Sequence, residues 1–250
     1  MYKLSVGAIF KNEESAMVEW IEHYLYHGAE HFYLINDGST DSSVEKLKPY
    51  IDRELITLFN ILWPQYQGRQ CNIYSEFILP HLKESEWLLM VDMDEFVYSP
   101  RDVSLVEVLK SCVHGQIQIR QVIFVPKGDT QPKSIVESFT ERIAHMPTYD
   151  NWKYFVNSKY EFTSLNIHTA TFKDASYFTY DHCINIIPEW FVCNHYMYQS
   201  RQFWNKKCER SDADCYKVRL PEEFDVKHET KQDTVLYEQN KPMLEQIGLI

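Results

Sequence analysis

Glycine is scarce in this 250-residue sequence, which contains only 7. None of these glycines forms a Gly-x-Gly-x-x-Gly loop or a P-loop, the two patterns in which glycine lets the backbone approach a phosphate closely. The scarcity therefore argues against phosphate binding by a glycine-rich loop. A nucleotidyltransferase would in addition need a Lys- or Arg-bearing glycine loop after the first strand, and residues 10–13 do not provide one.

Positive charge is also in the minority, with 25 Lys and Arg against 36 Asp and Glu, a net charge of -11. A general nucleic-acid-binding protein needs a basic face, so we expect no nucleic-acid partner, although a local cationic pocket remains compatible with this charge. The 6 cysteines include no Cys-x-x-Cys pair. This pattern favours reduced thiols over a disulfide framework.

Long apolar runs are missing, and no stretch reaches the length of a transmembrane helix. The N-terminal residues MYKLSVGAIF show neither the basic region nor the apolar region of a signal peptide. The sequence also lacks internal repeats and low-complexity tracts. We therefore expect a soluble cytoplasmic protein without a transmembrane segment, and its length suits one domain.

Strand and helix patterns alternate through the first half of the chain. The predicted strands are residues 4–10, 32–35, 55–62 and 87–91, and the predicted helices open at 11–14, at about 42 and at 72. The second half predicts strands at 116–125, 154–156 and 165–172, a helix at 134–142, a partly helical segment at 194–209, a charged connector at 221–233 and a final helix at 235–249. The alternation predicts an α/β fold with a mostly parallel central sheet flanked by helices, whose ligands gather at the carboxyl ends of the strands.

Three carboxylates follow the predicted strand 87–91, because residues 90–97 read MVDMDEFV. Side chains two residues apart in an extended segment point to the same side, so Asp92 and Asp94 can together hold one hard divalent cation. The alternative is a solvated acidic strand end. A calcium-binding loop would need a glycine and a more distant glutamate at fixed positions after the aspartates. The residues that follow Asp94, beginning with Glu95 and Phe96, do not continue this pattern.

Three further polar residues have both a functional and a structural interpretation. Asp37 directly follows a predicted strand and is placed to accept hydrogen bonds from a nucleoside, but it is equally suited to stabilise a turn. His168 and His195 are candidates for metal ligands, whereas most histidines in folded proteins have structural roles. The sequence pattern alone leaves these alternatives open.

Several segments form an ordered set along the chain, namely residues 10–13, 19–24, 31–34, 36–41, 92–96 and 194–196, together with Gly28, Ser200, Phe203, Asp233, Thr234, Leu236 and Leu244. This set resembles the GT-A glycosyltransferases, and within them the family-92 and related family-2-like group. The resemblance implies a single GT-A domain over residues 1–250. Residues 1–110 would form the nucleotide-sugar-binding half, residues 111–220 the acceptor-binding half, and residues 221–250 a C-terminal extension and helix.

The resemblance also implies a function and a set of site residues. The protein would be a metal-dependent inverting glycosyltransferase of the hexosyltransferase type, using Mn²⁺ or Mg²⁺ to transfer a sugar from a UDP-sugar to a glycan or glycoconjugate hydroxyl. The expected metal ligands are Asp92, Asp94 and His195. Asp92 would contact the ribose or a metal-bound water, and His195 would be the second protein ligand or a diphosphate contact. The expected donor-binding residues are Phe10, Lys11, Asn12, Glu13, Asp37, Asp92, Ser200 and Arg201.

One position departs from the resembled group, which often has a lysine where this chain has Gln199, directly before Ser200. The diphosphate charge must then be met by the metal together with Arg201, Lys206 or another cation. The departure also leaves a second interpretation open, that of a non-catalytic nucleotide-sugar- or glycan-binding module of the same fold.

Single displacement requires a base that takes the proton of the acceptor hydroxyl from the side opposite the diphosphate, so Asp92 and Asp94 are excluded from this role. We predict Asp129, in the loop after the long strand 116–125, as this base. The second candidate is Glu137, which a helix N-terminus would hold ionised. The alternative for Asp129 is a surface turn with no catalytic role.

Overall fold

The structure, a computed structural model, describes residues 1–145, 152–179, 183–185, 189–210 and 218–250. The first part of the chain forms β1 (Tyr2–Phe10), α1 (Met17–Tyr26), β2 (His31–Asn36), α2 (Ser43–Ile51), β3 (Ile56–Asn60), α3 (Arg69–Phe77), β4 (Ser85–Met90), β5 (Glu95–Tyr98) and α4 (Leu105–Leu109). The second part forms β6 (Gln116–Ile123), α5 (Ile135–Ser138), β7 (Glu141–Ile143), β8 (Trp152–Asn157), β9 (Phe162–Leu165), β10 (Ala170–Phe172), β11 (Cys183–Asn185), β12 (Val192–His195), α6 (Arg201–Glu209), β13 (Thr230–Gln232) and α7 (Val235–Gln246). Short 3₁₀ helices span Leu79–Glu84, Ala175–Tyr177 and Pro221–Asp225.

A nine-stranded sheet runs in the order β3-β2-β1-β4-β8-β6-β12-β5, with β11 beside β6. Strands β1 to β4 pair in parallel, and β6 pairs in parallel with β11 and β12. Of the strands that the structure describes in this sheet, only β8 and β5 run against the others. The prediction of a mostly parallel central sheet is therefore confirmed, and the carboxyl ends of β1, β2 and β4 lie at the same edge.

Both faces of the sheet are covered, so its strands are almost continuously apolar. In β1, Leu4, Val6 and Ala8 belong to the core on one face, while Ile9 belongs to the core on the other face. The same alternation separates neighbouring residues of β2 and β4. Because side chains alternate across a strand, each strand contributes to both cores. This packing on both faces fixes the position of the sheet edge at which β1, β2 and β4 end.

Helix α1 begins later than the sequence predicted. Residues 11–14 form a loop in which Asn12 has a φ of 55°. Asn12 Oδ1 accepts the backbone N–H of Thr40 at 2.7 Å, and the N–H of Glu13 donates to Ser43 Oγ at 2.9 Å. These bonds to the neighbouring loop replace the first helical turn, and α1 starts only at Met17.

Two predictions in the second half were wrong. The predicted helix 134–142 ends after Ser138, because Phe139 turns into a buried position and the chain continues as β7, which pairs with β13. The predicted strand 165–172 is interrupted by a turn in which the N–H of Asn166 donates to the carbonyl of Thr169 at 2.8 Å. The segment is therefore an antiparallel pair of short strands, β9 and β10.

The C-terminal helix α7 is joined to α1 by a buried polar network. Asn240 Nδ2 donates to His23 Nδ1 at 3.0 Å, and His27 Nε2 donates to Asn240 Oδ1 at 2.8 Å. His23 Nε2 lies 2.9 Å from the carbonyl oxygen of Val97, to which it donates. Burial lowers the pKa of both histidines, that of His23 far below its ordinary value, so both rings are neutral in the folded protein.

Two properties of the described part of the chain bear on its surroundings. None of its helices combines the length and the hydropathy needed to cross a bilayer. The cysteines whose side chains are described, at positions 71, 112, 193 and 208, are free thiols.

Candidate active site

The acidic motif lies in a turn between β4 and β5, and not in an extended strand as we predicted. The turn at Met93 and Asp94 separates the carboxylates, so that those of Asp92 and Asp94 have different partners. Asp92 Oδ2 accepts from Lys153 Nζ of β8 at 2.6 Å. Asp92 therefore faces a lysine, and its predicted contacts with a metal or a ribose stay predictions.

The antiparallel pairing of β5 with β12 brings His195 to the acidic motif. In this ladder His195 is the direct partner of Glu95. His195 Nε2 lies 3.5 Å from Asp94 Oδ1, and its Nδ1 lies 3.3 Å from Gln121 Oε1. Burial opposes the charged form of the ring, but the Asp94 and Glu95 carboxylates outweigh this effect and raise the pKa of His195 above its ordinary value.

Glu95 and Lys153 form the buried floor of the site. The Lys153 ammonium, 2% exposed, lies 3.2 Å from Glu95 Oε2 as well as contacting Asp92. Glu95 Oε2 also accepts the N–H of Asp92 at 2.7 Å, and Glu95 Oε1 accepts from Gln121 Nε2. Burial is the main reason that the pKa of Glu95 rises to about 7, with Lys153 acting in the opposite direction.

Helix α6 and the residue that follows it contribute two cations, Lys207 and Arg210, to this region. Lys207 Nζ forms an ion pair with Asp94 Oδ2 and donates to the carbonyl of Met197 at 3.1 Å. Arg210, three residues further on, pairs with Glu13 and also contacts the carbonyls of Lys11 and Asn12. Burial acts to raise the pKa of Asp94, but the charges of Lys207 and His195 outweigh it and hold that pKa well below its usual range.

The side chains around Asp94 fit a divalent cation. Asp94, Glu95 and His195 each offer a ligand atom, and these atoms lie within 4.8 Å of one another. Glu13 Oε2 is buried and has no hydrogen-bond partner among the described residues, although Glu13 lies close enough to Asp94 and Lys207 for their charges to act on its pKa. Carboxylate oxygens with one imidazole suit Mn²⁺ or Mg²⁺. Asp94 and His195 are the residues best placed to hold such an ion.

A second buried ion pair lies at the ends of β2 and α3. Asp37 directly follows β2, and its carboxylate accepts hydrogen bonds from both terminal nitrogens of Arg69. Arg69 Nη1 lies 2.9 Å from Asp37 Oδ2. The arginine side chain is 1% exposed, and its Nη2 also donates to the carbonyl of Trp63 at 3.2 Å. This bidentate geometry fixes the orientation of the Asp37 carboxylate.

A cavity of about 1060 Å³ adjoins the acidic site on the side of α6. It lies between the loop after β1, the start of α1, residues 131–133 and α6. Its basic lining residues are Lys11, Lys46, Lys133, Lys206, Lys207 and Arg210. Asp37, Asp92, Asp94 and His195 do not line it, and Lys207, which lines the cavity and pairs with Asp94, connects it to the acidic motif.

The structure brings together only some of the predicted donor-binding residues. Phe10 is buried at the end of β1, and Lys11 and Asn12 line the cavity. Ser200 caps α6, with its Oγ 3.2 Å from the N–H of Phe203. Arg201 pairs with Asp225 and stacks on Phe224 at 4.2 Å, and Lys206 lies 3.8 Å from Glu14. Among the described residues, the lysines paired with the acidic motif are Lys153 and Lys207, and the expected contact of Arg201, Lys206 or another cation with the diphosphate stays a prediction.

The two candidates for the base lie outside the acidic cluster. Asp129 is exposed, and its carbonyl accepts the N–H of Gln202 at the start of α6 at 2.9 Å. Glu137 is exposed on α5, where its N–H donates to Ser134 Oγ at 3.2 Å. Neither carboxylate contacts Asp94 or His195, and the role of each stays a prediction.

Sequence reasoning missed the cations of the site. Lys207 lies on α6 and Arg210 directly follows that helix, and no local pattern pointed from either residue to its carboxylate partner, Asp94 or Glu13. Lys153 stands in the apolar strand β8, where an unpaired ammonium would be costly, and this was a signal for a buried acidic partner. Arg69 follows Gly68 without any pattern that pointed to Asp37.

The sheet, with an acidic turn after β4 and a histidine from a neighbouring strand beside it, agrees with the predicted GT-A fold. A model of the family described as Glycosyltransferase family 92 matches residues 3–233. The chain therefore belongs to glycosyltransferase family 92.

Curated relatives agree with this assignment. A glycosyltransferase family 92 protein of Oryza sativa subsp. japonica is 23% identical over 149 residues, which cover 57% of this chain and 25% of that protein. The galactan beta-1,4-galactosyltransferase GALS2 of Arabidopsis thaliana is 26% identical over 112 residues, covering 42% of this chain and 22% of that protein. The matches thus span a quarter or less of these relatives.

Solved structures of S. aureus TarS also show similarity. The structure of TarS 1-349 in complex with UDP-GlcNAc aligns with a TM-score of 0.43 and 12% identity, covering 98% of this chain and 66% of that one. The complex with UDP aligns with a TM-score of 0.40 and 12% identity, covering 77% of this chain and 60% of that one.

Proposed function

We propose that this chain is a metal-dependent inverting glycosyltransferase of the hexosyltransferase type. It would transfer a sugar from a UDP-sugar to a hydroxyl of a glycan or glycoconjugate. The observation that carries the proposal is the convergence of Asp94 and His195 at the carboxyl end of β4, where the charge of Asp94 also acts on the buried Glu13, whose Oε2 has no hydrogen-bond partner among the described residues. Membership of the family supports the reaction class. The ligand atoms offered by Asp94, Glu95 and His195 are of the kind that bind a divalent cation, which supports the metal.

Each group of the site has a role in this reaction. Asp94 and His195 would hold Mn²⁺ or Mg²⁺, and the bound ion would stabilise the charge that develops on the departing diphosphate. Asp37, oriented by Arg69, offers carboxylate oxygens to the nucleoside. Asp92 would contact the ribose. The base that takes the acceptor proton would be Asp129 or Glu137.

The charge that the Gln199 position lacks is supplied from α6. Lys207 pairs with Asp94 and Arg210 pairs with Glu13, and both line the adjoining cavity, so their charges are within reach of a ligand that enters it. This arrangement supports turnover over the alternative of a non-catalytic sugar- or nucleotide-binding module. The alternative would bind a donor in the same place without consuming it.

The decisive experiment is a panel of UDP-sugars with Mn²⁺ or with EDTA, scored for transfer to glycan acceptors and for slow donor hydrolysis. We expect Asp94→Asn to lower turnover at least about 100-fold, because even outer-shell partners of metal ligands contribute 10- to 100-fold. Asp52→Asn, at a 59% exposed side chain, is the matched control and should behave like the wild type. Full turnover in EDTA would disprove the metal role. Donor binding without turnover on any acceptor would favour the binding module.

The stereochemistry has a separate test. Single displacement inverts the anomeric centre, so NMR of the first product should show the configuration opposite to that of the donor. A product with the donor's configuration would rule out the inverting mechanism but would leave the metal site and the donor class intact.

A further inference from the structure

Lys207 already provides Asp94 with a cation. Its ammonium group pairs with Asp94 Oδ2, while Asp94 Oδ1 faces His195 Nε2 at 3.5 Å. The side chains of Lys207 and Asp94 are each 8% exposed, so water screens this pair poorly. A divalent cation bound by Asp94 and His195 would lie beside the Lys207 ammonium and be repelled by it.

The charges around the site are nearly balanced without a metal ion. In the described part of the chain, four carboxylates, those of Glu13, Asp92, Asp94 and Glu95, are paired with three cations, those of Lys153, Lys207 and Arg210. A divalent cation on its own would leave the site with an excess of positive charge. A diphosphate that arrives with the cation brings the negative charge that restores the balance.

The Lys207 ammonium group can also reach acceptors in the adjoining cavity. Its side chain lines the cavity of about 1060 Å³ as well as touching Asp94, and its flexible stem ends in three donors that can change acceptor. The Lys207 ammonium also lies over the ring of Phe203 at 5.4 Å and donates to the carbonyl of Met197, and both contacts are weak compared with a hydrogen bond to a phosphate oxygen. A ligand diphosphate next to Asp94 would therefore attract the ammonium away from the carboxylate.

We propose that Lys207 is a built-in counter-ion of Asp94 that competes with the divalent cation until a nucleotide diphosphate takes the lysine over. The inference rests on the proposed metal and nucleotide site. Its consequence is that the metal binds weakly alone and tightly together with the nucleotide. Because coupling between two ligands is reciprocal, the nucleotide gains as much affinity from the metal as the metal gains from it.

Titration calorimetry with Mn²⁺, with and without saturating UDP, tests the proposal on the complete chain without any measurement of activity. We expect Lys207→Met to bind Mn²⁺ alone at least about tenfold more tightly than the wild type. The factor by which UDP increases Mn²⁺ affinity should shrink by a similar amount. Lys48→Met is the matched control, because the Lys48 side chain on α2 is 75% exposed, pairs with Asp52 and does not line the cavity, and it should behave like the wild type.

Two further variants secure the interpretation. Lys207→Arg keeps the positive charge, so this variant should still bind Mn²⁺ weakly in the absence of UDP. Lys207→Gln removes the charge and should resemble Lys207→Met. It takes the place of Lys207→Met if the methionine variant does not fold. Unchanged or weaker Mn²⁺ binding in both uncharged variants would overturn the inference while leaving the metal site in place. A wild-type protein that binds no Mn²⁺ even with UDP would overturn the proposed metal site and this inference together.

Discussion

Replacing Lys153 by methionine should destabilise the protein strongly, because the change leaves buried carboxylates without their cation. Lys153 is 2% exposed and lies 2.6 Å from Asp92 Oδ2 and 3.2 Å from Glu95 Oε2. Methionine has a similar length, so the substitution removes the charge without opening a large cavity. Removing one partner of a buried ion pair typically costs about 3 to 5 kcal/mol.

The cost should depend on pH in a direction fixed by Glu95. The pKa of Glu95 is raised from its ordinary value of 4.5 to about 7, so between these values the folded state binds more protons than the unfolded state. Stability therefore falls as the pH rises through that window, by about 3 kcal/mol in total from this group. Lys153 opposes the rise, so its loss moves the pKa of Glu95 higher and extends the fall above pH 7. The difference in the free energy of unfolding between wild type and variant should thus be larger at pH 8.5 than at pH 6.

Urea unfolding followed by tryptophan fluorescence measures these differences, and Trp20 is a suitable probe because its Nε1 donates to the carbonyls of Asp92 and Glu95. In thermal unfolding, a chain of this size loses about 2 to 4 °C of melting temperature per kcal/mol, so the melting temperature of Lys153→Met should be about 6 to 20 °C below that of the wild type. Lys159→Met, at an exposed position in the turn after β8, should change stability by less than about 0.5 kcal/mol. A cost below about 1 kcal/mol for Lys153→Met, or one that does not change with pH, would refute the reasoning.

Three other perturbations test separate parts of the molecule. Asp37→Ala should weaken UDP binding about 10- to 100-fold, as expected for loss of hydrogen bonds of about 1.5 to 3 kcal/mol to a charged acceptor, and it should also destabilise the fold by breaking a buried ion pair; unchanged UDP affinity by calorimetry would confine Asp37 to a structural role. Asp129→Asn should lower kcat at least about 100-fold with little change in donor affinity, and a near-normal kcat in steady-state assays would move the prediction to Glu137. The buried neutral ring of His23 has a folded pKa below the ordinary 6.5, so stability is lost as the pH falls below 6.5, by about 1.4 kcal/mol per pH unit. Urea unfolding at pH 6.5 and 5.5 should accordingly show a smaller loss for His23→Gln than for the wild type, and equal losses would contradict the assignment.

The parts of the fold that sequence could predict are those fixed by burial over short range. Strands β1, β2 and β4 are apolar on both faces, and the prediction placed them to within a few residues. The start of α1 was not predictable, because hydrogen bonds from Thr40 and to Ser43 decide it. Strand β5 was missed because it is short, carries Glu95 and forms only by pairing with β12.

The site shows the same division. Residues 92–95 were identifiable because three carboxylates after an apolar run require compensation, and His195 because it belongs to an ordered set of motifs. The compensating cations come from segments far away in the chain, Lys153 from β8 and Lys207 from α6. Which cation reaches which carboxylate depends on the register of β8 and on the course of the chain after β12, and no local pattern encodes either.

The position of β5 restricts how this domain can be recombined. Strand β5 belongs to the first 110 residues of the chain, yet it lies at the sheet edge beyond β8, β6 and β12, which all come later in the sequence. A crossover between two homologues near residue 110 would therefore not exchange one self-contained half for another. It would pair the β5 of one parent with the β12 of the other, so that Asp94 of one parent would lie beside the residue at position 195 of the other. Chimeras of this family should retain function only when residues 95–98 and 192–195 come from the same parent.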